Sequence, residues 1–451
     1  MFRKILIANR GEIALRVIRT CAELGIPTVA VYSTEDRDSL AARAADQAIC
    51  IGPGPARQSY LSVPAILEAA TQAGADAIHP GYGFLSEDPD FAEACGKQGI
   101  TFIGPPADLL GALGDKVRAR TMLADAGLPL LPGSPNSVDS VDAARKIAAE
   151  IGYPLIVKAV SGGGGRGMRI ARAPDELGAA YTAARSDAQA LFTDSRVYIE
   201  RYLSFARHVE VQVLCDTHGA GVHLGDRDCT IQRRQQKLIE ESPAPGLPAA
   251  ALQEMKDTAV RSAKAIGFTG AGTFEFLADA QGRYYFMEVN GRIQVEHPVT
   301  EMATGTDIVA EQIRIAAGAS LGYGQAEVSP RGAVIECRVN AEDPSRGFAP
   351  TPGLLEDFRP PSGPFVRVDA QGYPGLRIPA CYDSLLAKVI VWAPDRTGAI
   401  ARMQRALSEF IVCGAGISTT IGFLQQVLAS PAFLAAEHST ALAGDMIAGA
   451  R

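Results

Sequence analysis

A chain of 451 residues, 47% of them hydrophobic, is long enough for two or three domains with cores of their own. Its formal net charge of −7 argues against a nucleic-acid or anionic-membrane surface and leaves room only for a local basic pocket that takes small anions. The eight cysteines (21, 50, 95, 215, 229, 337, 381 and 413) include no Cys-x-x-Cys pair, so they read as scattered, mostly buried thiols of a reducing compartment rather than a disulfide framework or zinc site. Asn9, Arg10 and Glu12 interrupt the short apolar run at the N-terminus, unlike a signal peptide. No stretch approaches the ~20 apolar residues of a membrane span, so a cytoplasmic protein is expected.

In chain order, "KILIA" (4–8) predicts a strand and "GEIALRVIRTCAELG" (11–25) an amphipathic helix closed by Gly25. "TVAVYS" (28–33) predicts a second strand, "VPAILEAATQAG" (63–74) a second helix, and "ADAIHPG" (75–81) a third strand with its loop. That alternation predicts a parallel sheet with helices on its faces. The loop "NRGE" lacks Gly-x-Gly-x-x-Gly, so no dinucleotide site is read there. A helix is expected from Asp115-Lys116 to Gly127, and the Pro-rich "LPLLPGSPNS" (128–137) marks the way into a new lobe. "GAGTFEFLADAQGRYYFMEVN" (270–290) predicts a hairpin turning at Asp279–Gly282, and the chain from about 331 is strand-rich, then helical over 398–410.

Two stretches carry chemistry. In "VKAVSGGGGRGM" (157–168) the glycines at 162–165, with Gly167, free the backbone for positive φ and close approach to a ligand. Exposed N–H groups in such a loop suit phosphate oxygens, and Lys158 on the preceding strand supplies a point charge. A plain linker would seldom place Lys158 and Arg166 so near the glycines. The spacing is not that of a P-loop, and a mobile lid over phosphates is the better reading. In the hairpin, Glu288 and Asn290 share a face, and Glu275 joins them across the ladder, opposite Met287 or Glu288. Two carboxylates and an amide oxygen on a half-buried surface suit Mg²⁺. Arg292, Gln294 and Glu296 are read as continuing the same period-two face past Gly291. A guanidinium can fork a planar oxyanion, and Glu296 can take its proton. Together these groups describe ATP-driven activation of a carboxylate-like substrate.

The sequence resembles biotin carboxylase, the ATP-grasp component of biotin-dependent carboxylases, along effectively the whole chain. The motifs that carry the resemblance are "IANRGEIALR" (7–16), "HPGYGFLSE" (79–87), "GDK" (114–116), "SGGGGRGM" (161–168), "RHVEVQV" (207–213) and "RDCTIQRRQQK" (227–237). They continue in order with "FEF" (274–276), "EVNGRIQVEHPVTE" (288–301), "ECRVNAEDP" (336–344) and "CYDSLLAK" (381–388). The resemblance implies a mixed α/β and α+β architecture: an N-terminal parallel-sheet domain over 1–113, an ATP-grasp domain over 114–330 with a lid about 130–203, and a C-terminal domain over 331–445.

It further implies that Lys116, Lys158 and the glycine loop with Gly163, Gly164 and Gly165 meet the ATP phosphates. Glu200 and Leu203 would meet the adenine, with His208 and Gln232 near the ribose. Glu275, Glu288 and Asn290 would hold Mg²⁺ or Mn²⁺. Lys237, Arg292, Gln294, the Val295 backbone and Glu296 would form the bicarbonate site, and Tyr82 and Arg338 would contact biotin. In the implied reaction Glu296 deprotonates bicarbonate, which attacks the γ-phosphate to give carboxyphosphate and ADP. Carboxyphosphate yields CO₂ and phosphate, phosphate takes the N1′ proton of biotin, and Arg338 stabilises the oxyanion that captures CO₂.

The implied partners are a biotin carboxyl carrier protein and carboxyltransferase subunits, as in the acetyl-CoA carboxylase of fatty acid biosynthesis, together with a second copy of the chain. Residues matching Arg19 and Glu23 lie at the family's dimer interface. The nearest approach to the biotin-acceptor Met-Lys-Met is "EMKD" (254–257) in an expected helix, so biotin is expected on a separate carrier. Gln235 stands where members usually carry His, Gly291 where they carry Thr and Cys381 where they carry Tyr; Gly291 is expected to loosen its loop. His79 and His297 are expected to hold loops, and His218, His223 and His438 have no evident constellation. The competing readings are a carboxylase of a small free nitrogen compound such as urea or guanidine, and a non-catalytic scaffold that binds a carrier.

Overall fold

The computed structural model describes residues 1–161 and 167–449. The first sheet is parallel, with strands β1 (Ile5–Ile7), β2 (Thr28–Ser33), β3 (Gln47–Gly52), β4 (Ala77–His79) and β5 (Thr101–Phe102) in the order β3-β2-β1-β4-β5. The fully buried run Ile5–Ile7 is what a central parallel strand requires, with helices covering both faces. The edge strands β3 and β5 escape the sequence reading. "QAICIG" is mostly exposed and β5 is two residues long, so neither carries a core-facing pattern.

The helix Gly11–Glu23 follows β1 directly and buries Ile13, Ala14, Val17 and Ile18, while Arg19 and Glu23 point outward. Beside its start, Asn9 fixes the loop that carries Tyr82. Its Nδ2 donates to the carbonyls of Pro80 and Tyr82, each at 2.7 Å. Gly81 runs past this amide at φ +63, where a Cβ would sit 2.8 Å from Nδ2. Only glycine fits that crossing.

Helix Lys116–Asp125 begins as expected, its first amides capped by Asp115 Oδ1, 3.0 Å from Val117 N and Arg118 N. Beyond it lies a small antiparallel sheet, β7-β6-β8, built from β6 (Leu155–Ala159), β7 (Arg169–Ala171) and β8 (Val197–Arg201). Its core is separate from the others and includes Val138, Ala144, Leu177, Ala184 and Ile199.

The largest sheet has eight strands. Its first six are β13 (Tyr284–Asn290), β12 (Gly270–Ala278), β9 (Arg207–Cys215), β10 (Gly221–Arg233), β11 (Gln236–Ser242) and β14 (Ala333–Asn340), in that spatial order. The sheet continues from β14 into Leu385–Ala393 and Val366–Ala370. The strand-rich region after 331 therefore extends the central sheet through the β11–β14 pairing. Among the described residues no helix is long and apolar enough to cross a membrane.

Arg227 on β10 is fully buried and ties this sheet together. Its Nε donates to Glu210 at 2.6 Å, and its Nη atoms reach Gln212, Thr300 and Thr273 at 2.9, 2.8 and 3.2 Å. Removing one member of a buried ion pair strands the other in a medium of low polarity. Arg227→Met is therefore expected to lower unfolding free energy by about 3–5 kcal/mol. The check is a urea titration, where the transition of this sheet should move to lower concentration at unchanged slope.

Candidate active site

Three neighbouring strands set a row of carboxylates side by side. Glu210 on β9 pairs with Glu275 on β12, which pairs with Glu288 on β13. The hairpin forms as predicted, turning where Gly282 N donates to Asp279 O at 3.0 Å, and it places Glu275 opposite Glu288. Three carboxylates in a row repel unless cations stand among them. Lys237, from β11, meets this need. Its Nζ lies 2.6 Å from Glu210 Oε2, 3.1 Å from Glu275 Oε1 and 2.6 Å from Glu296 Oε1. Burial alone would lower this ammonium, yet the surrounding anions hold it well above its ordinary value.

The expected row beyond Gly291 is corrected in one respect. The strand ends at Asn290, and residues 291–296 form an irregular loop that delivers Glu296 to the start of helix His297–Thr304. The side chains nevertheless converge. Arg292 donates to Asn290 Oδ1 and Gln294 Oε1, both at 3.0 Å, and to Glu87 Oε2 at 2.7 Å. Asn290 and Gln294 in turn donate to Glu275 Oε1, at 2.9 and 3.1 Å. The looseness expected at Gly291 is absent. Its N–H donates to Glu87 at 3.0 Å, and an added Cβ would lie 2.9 Å from Leu110 Cδ2.

Glu296 is fully buried at the centre of the cluster. Oε1 meets Lys237, and Oε2 accepts from Arg338 Nη2 at 2.8 Å. Burial would push this carboxyl up, but Lys237, Arg338 and Arg227 together hold it well below the usual carboxylate range. The Val295 carbonyl accepts from the fully buried Lys388 Nζ at 2.7 Å, and that ammonium also lies 3.0 Å from Glu12. Glu12 accepts from the Tyr82 hydroxyl as well. Lys388 thus joins Tyr82, the 291–296 loop and the C-terminal strands.

Toward the small sheet, Lys116 Nζ lies 3.6 Å from Glu288 and Lys158 Nζ 2.5 Å from Glu200, which is also paired with Arg120. His208 Nε2 lies 3.0 Å from Glu275 Oε2, and its Nδ1 meets Gln232 Nε2 at 2.6 Å. Leu203 is half-buried just after β8. The residues Gly163, Gly164 and Gly165 lie outside the described residues. Gln235 is exposed, with Arg234, in the two-residue turn joining β10 to β11, both at positive φ. His79 and His297 hold loops as expected, Nδ1 of the first accepting from Gly81 N and Nδ1 of the second meeting Gln294 O.

For a divalent ion, Glu288 is only partly covered, and Glu275 faces it across the ladder. Asn290 spends one lone pair of Oδ1 on Arg292 and keeps the other. These all-oxygen donors fit Mg²⁺. Sequence reasoning passed over Glu87, Glu210, Arg227, Glu240 and Lys388. It also left His438 without company, whereas that ring is buried with Nε2 3.5 Å from Asp228 and 3.9 Å from Glu241.

Comparison with known proteins puts this fold, with its buried carboxylate–cation cluster, among the ATP-dependent ligases of the ATP-grasp type. Residues 1–110 match the model of the biotin carboxylase N-terminal domain. Residues 336–444 match the biotin carboxylase C-terminal domain, and 115–323 the ATP-binding domain of the carbamoyl-phosphate synthase L chain. Biotin carboxylase 1 of Bacillus subtilis is 52% identical over 441 residues, 98% of each chain. Biotin carboxylase of Pseudomonas aeruginosa is 52% identical over 422 residues, covering 93% of this chain and 94% of its own. Among solved structures, a Campylobacter jejuni biotin carboxylase–β,γ-ATP complex superposes with TM-score 0.96 at 46% identity, over 99% of each chain. The biotin carboxylase domain dimer of Hydrogenobacter thermophilus 2-oxoglutarate carboxylase, with MgADP and bicarbonate, gives 0.95 at 46% identity over 99% and 98%. The chain belongs to the biotin carboxylase family.

Proposed function

We propose that this chain carboxylates biotin with bicarbonate at the expense of ATP, in two steps that share one buried cluster. The observation that carries the reading is Glu296 held between Lys237 and Arg338 on two different strands. Arg292, Gln294, the Val295 backbone and Lys237 hold bicarbonate, and Glu296 takes its proton. A carboxylate gripped by two cations is a weak base. Bound anions draw hydrogen bonds from Lys237 and Arg338, loosen that grip and raise its affinity for a proton. Arg338, with Tyr82 nearby, then faces biotin and stabilises negative charge on its ureido oxygen.

Lys116, Lys158 and the glycine loop take the ATP phosphates; Glu200, Leu203, His208 and Gln232 take the nucleoside. Glu275, Glu288 and Asn290 hold Mg²⁺ or Mn²⁺, which when bound neutralises phosphate charge. The separate core of the β7-β6-β8 sheet supports a lid about 130–203 that closes over ATP, between an N-terminal domain to 113 and a C-terminal domain from 331. Biotin arrives on a carrier protein, carboxyltransferase subunits accept the product, and the enzyme works as a homodimer, in keeping with the dimer named for the Hydrogenobacter relative.

The test is phosphate release from ATP with bicarbonate, with and without free biotin, and with urea as control. Release should require bicarbonate and rise with biotin alone. Stimulation by urea instead would favour the free-nitrogen carboxylase, and no release at all the scaffold.

A further inference from the structure

Arg338 is shared unequally between two carboxylates. Its Nε lies 2.6 Å from Glu240 Oε1 and its Nη2 2.6 Å from the same oxygen, whereas Glu296 takes only Nη2, at 2.8 Å. Among the described residues Nη1 has no protein partner, so this edge of the fork remains for a ligand. Glu240 sits on β11, one strand from Arg338 on β14, and is fully buried. It touches none of the groups assigned to ATP, metal or bicarbonate except through Arg338.

Glu240 has a second unusual neighbour. Glu336 stands directly across the ladder from it, is also fully buried, and neither of its oxygens has a hydrogen-bond partner. Two like carboxyls this close cannot both ionise cheaply. Burial first, then repulsion from Glu240 and Glu296 against the pull of Lys388 and Arg338, pushes the Glu336 carboxyl well above its ordinary value. Of the two, Glu240 has the guanidinium as partner and, among the described residues, Glu336 has none, so the negative charge of the pair falls on Glu240, whose own carboxyl burial raises to about 7 against the pull of Arg338.

This arrangement answers a problem that the two-step reaction poses. Once Glu296 has accepted the bicarbonate proton it is neutral, and its hold on Arg338 weakens just when Arg338 must meet biotin. We infer that Glu240 is the positioning residue that keeps Arg338 aimed through the second step, while Glu296 is occupied as the base of the first. The inference rests on the roles proposed above for Glu296 and Arg338. It gives the site one carboxylate that reacts and one that holds.

The experiment compares wild type, Glu240→Gln, Glu240→Asp, Arg338→Ala and the Glu240→Gln/Arg338→Ala double variant. Each is assayed for bicarbonate-dependent phosphate release and for carboxybiotin formed, with circular dichroism confirming the fold. In Glu240→Gln, carboxybiotin formation should fall about tenfold further than phosphate release, with a higher KM for biotin, because a charge-assisted hydrogen bond has been replaced by a neutral one. Glu240→Asp keeps the charge but withdraws it by one methylene, and should lose coupling in the same sense by less. In the double variant the ratio should match that of Arg338→Ala alone, since Arg338 is the one side chain to which Glu240 is hydrogen-bonded among the described residues. A purely structural role would lower both activities together. Wild-type coupling in either folded Glu240 variant, or additive losses in the double variant, would overturn the inference. If wild type itself formed no carboxybiotin, the functional reading would fall first.

Discussion

Glu296→Gln is expected to suppress bicarbonate-dependent ATP cleavage by about 10²–10⁴-fold, the range of general-base catalysis. Glutamine keeps the volume and one acceptor but cannot carry a proton away from bicarbonate. The surroundings should survive the change, because Lys237 retains Glu210 and Glu275 as partners and Arg338 retains Glu240. Loss of activity with an unchanged thermal transition would therefore report chemistry rather than collapse. The measurement is phosphate release at saturating ATP as bicarbonate is varied. Full cleavage by Glu296→Gln would remove this carboxylate from the first step.

The first sheet was legible where its strands are central. "KILIA", "TVAVYS" and "ADAIHPG" bury nearly every residue, so composition alone marks them. β3 and β5 lie at the edges, where few side chains reach the core and no periodicity survives. The hairpin was legible because its turn and alternation are local. The row from Arg292 to Glu296 was legible in its partners but not in its backbone: spacing of two is shared by a strand and by a loop whose side chains happen to converge. Glu210, Arg227, Glu240 and Lys388 were opaque for a different reason. Each draws its meaning from a strand far away in sequence, and pairing across such distances leaves no local mark. A trace was nevertheless present. "RHVEVQV" puts His208, Glu210 and Gln212 on one side of a strand whose other side is valine, which signals a polar face turned inward. His438 left no such trace, since Asp228 and Glu241 lie about two hundred residues upstream.

Arg338→Ala is expected to uncouple the enzyme, with carboxybiotin formation falling about 10²–10³-fold while ATP cleavage continues. The sign follows from what Arg338 does to its neighbours. It is one of the three cations that hold the Glu296 carboxyl low, so its removal raises the affinity of Glu296 for a proton and leaves the first step with a stronger base. Lys237 still anchors Oε1, so the base stays in place. Glu240, whose carboxyl burial already pushes up to about 7 despite Arg338, loses the one hydrogen-bonded partner it has among the described residues and should take up a proton. The cluster thus sheds one positive and one negative charge together, and no bare charge is left buried. Carboxyphosphate then forms and decomposes as before, but no guanidinium meets the developing oxyanion on biotin, and CO₂ is lost to solvent. Phosphate released per carboxybiotin formed is the quantity to follow, with Glu296→Gln beside it. Equal loss of both activities in a folded Arg338→Ala protein would show that the two steps do not divide between these residues.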